Sequence, residues 1–537
     1  MEVIYLKSGE KCNAILANED LSFDSVTVDN RTTVILTAHA DIDLIKVTDS
    51  IPFSVNFNDR YFLNGYQSWT DTREYSLKNR LRNIKKSPHI ISQMYAMRAY
   101  GDSYFYDYSI LKMHGYDVFY SKGKHESFIF NLNHKIAYLI IELIKGKRDL
   151  FLTSDVNGIS LKSGESVVVF DYCFYKDFNE GLEAFNNYFP KKKTSKILGY
   201  TSWYNYYQNI NEQLLLQDLN SLDDRFNLFQ IDDGYQTYVG DWLDINKEKF
   251  PNGLGIVVEK IHLKGYKAGI WLAPFVAEKN SKLFKEHNDW IKKDSKGKLV
   301  KAGGNWSGQY ALDFDKQEVK DYIKKCLEHY IILGFDFFKL DFLYAVGLVP
   351  SKGKTRSQTQ REAYEFLRQI LKDKIVLGCG ANIVNSIGNF DYLRVGPDVS
   401  LDFDDKAFMR LFHRERISTK VTLQNTIFRS IFDKRFFGND PDVFILRKEN
   451  NNLSKEQRIA LSTINALFGS ILMTSDNINL YSERKKPILD RVLEIFFKGE
   501  VTNYFKKRQT IYVDYSVDGR GYQLAYNTRK GVLEYDR

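Results

Sequence analysis

Gly334-Phe335-Asp336-Phe337-Phe338-Lys339-Leu340-Asp341-Phe342 is an aromatic, apolar run of strand length, set behind a helix-like segment and a glycine. Such a run reads as a buried strand of a parallel sheet. Two charges interrupt its end. Lys339 and Asp341 are two apart, so on a strand both point to one face. An ammonium and a carboxylate on a buried face need partners or a ligand there. Taken alone, the pair fits a satisfied internal ion pair as well as it fits a reactive site.

Outward from this run, the chain from about residue 195 alternates strand-like stretches with amphipathic helical ones. Ile197–Tyr204 precedes a helix at 212–222, and Leu228–Ile231 leads into Asp232-Asp233-Gly234-Tyr235. A helix at 255–264 precedes Tyr266–Pro274, a long helix at 316–333 precedes the central run, and a helix at 357–371 precedes Lys374–Cys379. Tyr392–Val395, a helical stretch over 405–417, a strand near Val443–Leu446, a helix at 455–467 and Ser470–Thr474 follow. Close to eight β/α units predict a (β/α)8 TIM barrel over residues 191–480, with the seventh unit the least regular. A doubly wound sheet is the alternative, but no Gly-rich phosphate fingerprint follows the first strand.

On either side the pattern is β. Residues 1–190 carry short alternating runs, such as Thr32–Ala38, Ser127–Leu132 and Ser166–Tyr172, between Asn, Asp and Gly turns. They predict an N-terminal β-sandwich. Residues 481–537 predict a small antiparallel β domain from Gln509–Tyr515, Gly521–Tyr526 and Gly531–Glu534. The expected class is thus a multidomain α/β protein.

Composition narrows the function classes. The 537 residues are 43% hydrophobic and 27% charged, the proportions of an ordinary globular protein. The net charge of +8 is spread along the chain. Its two compact basic runs, 145–148 and 191–196, lack interleaved aromatics, so no nucleic-acid partner is expected. No apolar stretch approaches ~18 residues, so no membrane span is expected. Cys12, Cys173, Cys326 and Cys379 are scattered, without metal-ligand or disulfide spacing. With no signal-peptide pattern at the N-terminus, they point to reduced thiols and a cytoplasmic protein.

In a barrel, chemistry collects where strands end and βα loops begin. The second strand ends in Asp232 and Asp233, the third carries Trp271, the fourth Lys339 and Asp341, the fifth Cys379, and the sixth Arg394 and Asp398. Paired carboxylates among cations and rings suit glycoside hydrolysis, in which one attacks the anomeric carbon or activates water and the other protonates the leaving oxygen. Lys339 beside Asp341 is expected to keep that carboxylate ionised, as a nucleophile requires. Shielding of Asp398 by a sugar would raise its pKa and suit it as the acid. The rim lacks histidine and Lys339 repels cations, so no metal and no cofactor is expected. Asn64-Gly65-Tyr66-Gln67-Ser68-Trp69-Thr70 stands outside the barrel, and by itself reads as a loop whose Trp69 packs under the sandwich.

The motifs Asn64-Gly65-Tyr66-Gln67-Ser68-Trp69, Ser202-Trp203-Tyr204-Asn205-Tyr206-Tyr207, Asp232-Asp233-Gly234-Tyr235, Gly240-Asp241-Trp242, Lys339-Leu340-Asp341 and Arg394 with Asp398 resemble those of the melibiase-type α-galactosidases of glycoside hydrolase family 36. The resemblance runs from about residue 60 to about 480, in order, and extends to the three-part domain plan; the chain resembles the compact members. It implies that Asp341 is the nucleophile and Asp398 the acid/base of a retaining exo-α-galactosidase acting on small α-galactosides. It implies that Asp232 and Asp233 hold the galactose 4- and 6-hydroxyls, that Lys339 binds a sugar hydroxyl beside the nucleophile, and that Arg394 and Cys379 lie near the 2-position. Trp203, Tyr204 and Trp271 would wall the pocket, and Trp69 would reach in from the sandwich. Two departures, Cys379-Gly380-Ala381-Asn382 and Val395-Gly396-Pro397-Asp398, lie where galactose and N-acetylgalactosamine are told apart. An α-N-acetylgalactosaminidase, a galactosyl transglycosylase and a non-catalytic sugar-binding relative are the alternatives.

Overall fold

The computed structural model describes residues 1–82, 84, 90 and 96–537. Two seven-stranded antiparallel sheets form the N-terminal sandwich. In Arg60–Leu63, Val118–Lys122 and Ser127–Asn131, side chains alternate between two cores. Tyr61, Leu63, Phe119 and Ile129 fill the sandwich interior. Phe62, Val118, Tyr120, Phe128 and Phe130 face the other way, into a core shared with the barrel. This sheet is therefore buried on both faces of these strands. The helix Phe178–Tyr188, capped by Asp177, packs on that outer face and delivers the chain to the barrel.

The barrel strands are Ile197–Thr201, Leu228–Ile231, Lys267–Leu272, Phe337–Leu340, Ile375–Gly378, Tyr392–Arg394, a split seventh strand, and Ile471–Thr474. Each pairs in parallel with its neighbour. The central run proves shorter than its apolar length, because Asp341 lies past the last strand residue and Phe342 turns to φ 54°.

The seventh position differs from the expected Val443–Leu446. Gly438–Asp440 pairs with the sixth strand, Val443–Phe444 pairs with the eighth, and Asp440-Pro441-Asp442 breaks the run between them. The two ends of the parallel path are thus adjacent in the chain, and the sheet returns on itself. Proline supplies no ladder donor, so a break there costs little pairing. The helical stretch expected over 405–417 is confined to Ala407–Phe412, and the main helix of that unit is Thr419–Phe428, capped by Ser418. Its residues are buried on all sides, which hides the helical period.

After the third strand the chain makes an excursion, a three-stranded antiparallel sheet of Val276–Glu278, Lys301–Gly303 and Gln309–Ala311. The helix Lys486–Lys498 follows the last barrel strand and runs into four antiparallel strands, Gly499–Lys507, Thr510–Val517, Arg520–Asn527 and Val532–Asp536. The first of these was not anticipated. Among the described residues, no helix is long and apolar enough to cross a membrane.

Candidate active site

Thr201, Gln230 and Lys339 stand at the ends of the first, second and fourth strands, and all three donate to Oδ2 of Asp232, at 3.2, 2.6 and 2.8 Å. Lys339 is therefore the partner of Asp232, not of Asp341 as the sequence spacing suggested. Burial alone pulls this ammonium down, but the charge of Asp232 outweighs it and holds Lys339 firmly protonated. Asp233, one residue on, points to a separate set of donors: Trp306 Nε1 at 2.9 Å, Gln208 Nε2 at 3.0 Å and Gln236 Nε2 at 2.6 Å. All are neutral, and burial raises the Asp233 carboxyl to about 6. The turn at Gly234, at φ 119°, passes so close to Gln208 that a Cβ there would meet its backbone at 2.7 Å. Only glycine permits that approach.

Asp341 accepts from Trp271 Nε1 at 3.0 Å and from the backbone N–H of Phe342 at 2.8 Å. Both its oxygens are thus oriented. Burial raises its pKa, with Lys339 acting in the opposite sense and Asp398 in the same one. The expectation that Lys339 dominates is corrected accordingly: the ammonium is committed to Asp232, and desolvation of Asp341 is the larger effect.

Arg394, 3% exposed, distributes its guanidinium over three carboxylates. Nε donates to Asp440 at 2.8 Å, one terminal nitrogen to Asp398 at 2.9 Å, and the other lies 2.8 Å from Asp442. Asp398 keeps the most solvent contact of the three, at 37% of its side chain. Asp442 also accepts the Val399 N–H at 2.7 Å and the Tyr204 hydroxyl. Burial, offset in part by Arg394, raises the Asp442 carboxyl to about 7. Cys379 lies buried nearby as a free thiol, pushed well up by burial.

Aromatic rings close the walls. Trp271 packs between Trp242 and Trp306, at centroid distances of 5.6 and 6.2 Å. Trp203 starts the short helix Trp203–Tyr206, whose Tyr204 is buried. Trp69 does not pack under the sandwich: its ring meets Phe342 and Tyr344 of the barrel, at 5.3 and 5.5 Å. It comes within ordinary contact of Gly380, at φ 65°, where a Cβ would be crowded at 3.2 Å.

The site thus gathers Asp232, Asp233, Lys339, Asp341, Arg394, Asp398, Cys379, Tyr204, Trp271 and Trp69 around one rim, with Trp203 at its edge. Sequence reasoning missed Trp306, Gln208, Gln236, Asp440 and Asp442. The Asp-Pro-Asp run was a readable signal for the last two, since it breaks an otherwise apolar strand with two carboxylates.

Fold and rim together define a parallel β/α barrel with carboxylates, cations and rings gathered at its strand ends. More narrowly, the Melibiase family model matches residues 185–373. The chain is 26% identical to the α-galactosidase TtGalA of Thermus thermophilus, solved with stachyose, with a TM-score of 0.70 over 88% of this chain and 99% of that one. It is 30% identical to α-galactosidase 1 of Pediococcus pentosaceus over 27% of this chain and 21% of that protein. It is 27% identical to an Escherichia coli α-galactosidase over 35% of this chain and 27% of that protein. The matched stretches thus span less than a third of these two curated relatives.

Proposed function

We propose that the chain is a retaining exo-α-galactosidase that removes terminal α-D-galactose from small oligosaccharides of the melibiose and raffinose type. The observation that carries this reading is the pair of carboxylates held in opposite ways. Asp341 is gripped on both oxygens by neutral N–H donors, and Asp398 is half open to solvent beside a guanidinium. A nucleophile needs a fixed oxygen, and an acid that meets the leaving group needs open access to it.

In this reading an Asp341 oxygen attacks the anomeric carbon while the glycosidic oxygen leaves with the Asp398 proton. Asp398 then takes a proton from water, which attacks the same carbon and releases galactose and Asp341. Asp232, Asp233 and Lys339 receive the 4- and 6-hydroxyls, while Arg394 and Cys379 close around the 2-position. Four free cysteines support a reducing, cytoplasmic setting. The activity named for TtGalA and the curated relatives supports the choice of galactose.

The test compares p-nitrophenyl α-galactoside with p-nitrophenyl α-N-acetylgalactosaminide. Strong preference for the first is expected. Preference for the second would keep the mechanism and move the specificity, and turnover of neither would overturn the reading. Asp341→Ala should abolish turnover, with azide restoring part of it as β-galactosyl azide. A folded variant that azide cannot rescue would remove Asp341 from the nucleophile role.

A further inference from the structure

A cavity of about 740 Å³ opens between the sandwich and the barrel. Its floor is the outer face of a sandwich sheet. In the paired strands Leu139–Ile144 and Asp149–Ser154, Ile141, Leu143 and Leu152 fill the sandwich core, so Ile140, Glu142 and Thr153 point the other way, into the cavity. The excursion after the third barrel strand supplies Lys298 and Lys301. The segment ahead of the sandwich strand Lys112–Tyr116 supplies Arg98, Tyr104 and Phe105, and the loop after the fourth barrel strand supplies Leu348. Among the described residues that line it, none belongs to the rim.

Two of the lining cations are spent on the walls. Arg356, 8% exposed, lays its guanidinium over the Phe105 ring at 3.9 Å, donates to the Gly347 carbonyl and faces Asp155 at 3.6 Å. Lys112 and the Tyr106 hydroxyl both donate to one oxygen of Glu142, at 3.0 and 2.7 Å. The back of the cavity is therefore fixed, and its charges are balanced. The other lining charges are not. Asp294 accepts the backbone N–H groups of Lys296 and Lys298, both at 2.9 Å, and Asp107 stands at the solvent side. Against them Lys46, Arg98, Lys298 and Lys301 line the cavity without an ion pair among the described residues. The buried Nε of Arg98 makes no hydrogen bond there either. Six cations to four carboxylates leave the lining with an excess of positive charge, and that excess sits on the unpaired groups.

Unpaired guanidinium and ammonium groups in a concave site suit a phosphate, which takes two parallel bonds from arginine and a point charge from lysine. Beside them stand two rings. Tyr104 is 55% exposed, and Phe105 is held from behind by Arg356. Such rings offer an apolar face to a flat or puckered ring of a ligand. The volume is that of a small-molecule site, too small for a polymer. We propose that this cavity is a second ligand site, separate from the rim, and that it binds a phosphate monoester carried on a ring, as in a sugar phosphate or a mononucleotide. The inference stands apart from the galactosidase reading, since it uses none of the rim residues.

The test titrates the full chain calorimetrically with glucose 6-phosphate, AMP, inorganic phosphate and glucose, at low ionic strength, and maps the bound state by hydrogen exchange. At least one of the two phosphorylated rings should bind one to one, more tightly than inorganic phosphate or glucose, and slow exchange over 98–107 and 298–301. Whichever of the two binds better tells a sugar phosphate site from a nucleotide site. Arg98→Ala and Lys301→Ala should each weaken that binding about tenfold, the weight of one charge-assisted hydrogen bond. Added salt should weaken it further. Tyr104→Ala should weaken the phosphorylated ring and leave inorganic phosphate as it was. Glucose bound as tightly as its phosphate would make this a neutral sugar site and overturn the proposal. Inorganic phosphate bound as tightly as either ring would remove the role of Tyr104 and Phe105 and overturn it as well. So would the absence of binding by both phosphorylated rings at millimolar concentration, or binding that Arg98→Ala and Lys301→Ala both leave unchanged.

Discussion

Asp233 shows how far burial among neutral donors can move one carboxyl. Its three donors, from Trp306, Gln208 and Gln236, are neutral. Burial is the dominant cause of its rise to about 6, with the charge of Asp232 adding to it. The sign follows. A carboxyl raised in the folded state favours the protonated fold, so its stabilising contribution is complete below the ordinary value of 3.8 and is lost as pH climbs through about 6. Sugar hydroxyls reverse this preference, because an ionised carboxylate accepts two of them and a protonated one gives up part of that capacity. The KM for an α-galactoside should therefore rise as pH falls below about 6, while ligand-free stability rises. Asp233→Asn, of the same shape but without a titrating proton, should show a high and pH-independent KM between pH 5 and 7. A KM in Asp233→Asn that still follows the wild-type pH profile would assign the titration to another group. Asp232 is also buried, but it is met by Lys339, and two adjacent residues of one type carry no mark that tells them apart. Their difference arises from side chains that the fold brings from positions 201, 306 and 339.

The split seventh strand is the element on which the acid depends. Pro441 interrupts the ladder, Asp442 turns back at φ 77°, and its N–H is held by Asp440 at 2.8 Å. The two carboxylates so presented grip Arg394, and Asp442 also fixes the Val399 N–H next to Asp398. A break in a strand thus sets the position of the acid-bearing loop. Asn tolerates the left-handed region and keeps the shape of Asp442, whereas Leu does neither. Asp442→Asn should cost less activity than Asp442→Leu, and the latter should lose on the order of 100-fold in kcat/KM, as a misplacement of about 1 Å does. Both losses should be larger for leaving groups of high pKa than for p-nitrophenol, since the acid is what has moved. Equal losses on both classes would detach Asp442 from Asp398. This element also marks how legible the chain was. The alternation of strands and helices from 197 to 474, and the carboxylates at strand ends, could be read because periodicity and burial agree there. The Asp-Pro-Asp break could not be placed, because its two halves pair with different neighbours. The helix Thr419–Phe428 escaped because burial on every side erased its period. Tyr207, Trp306, Phe342 and Asp442 all take positive φ around the rim, and nothing in their residue types announces it.

At the scale of the molecule, the question is how a sandwich that begins at residue 2 completes a pocket in the barrel. Segment 64–72 is bolted to the barrel by two buried side chains. Arg429 donates to the carbonyls of Ser68, Val395 and Gln67, at 2.5, 2.8 and 3.1 Å, and to Asn64 Oδ1 at 3.2 Å. Asn425 donates to the carbonyls of Thr70 and Val395 and accepts from the Thr72 N–H. Both side chains therefore join the backbone around Trp69 to the strand end between Arg394 and Asp398. The motif Asn64–Thr70 was legible as something other than a core strand, but its docking partner, over 350 residues away, was not. Burial, with a smaller push from Arg414, lowers the Arg429 pKa to about 9, so it remains charged at neutral pH. Arg429→Met would strip donors from several buried carbonyls at about 1–3 kcal/mol each. Its effect should be felt in two segments at once: hydrogen exchange should quicken over 64–72 and over 394–399 together, while the sandwich strand Leu139–Ile144 stays protected. If Arg429 acts on turnover through Trp69, the losses in Trp69→Ala and Arg429→Met should not multiply in the double variant. Faster exchange confined to 64–72, with independent losses in the double variant, would reduce Arg429 to a local tether and leave the two domains without the coupling drawn here.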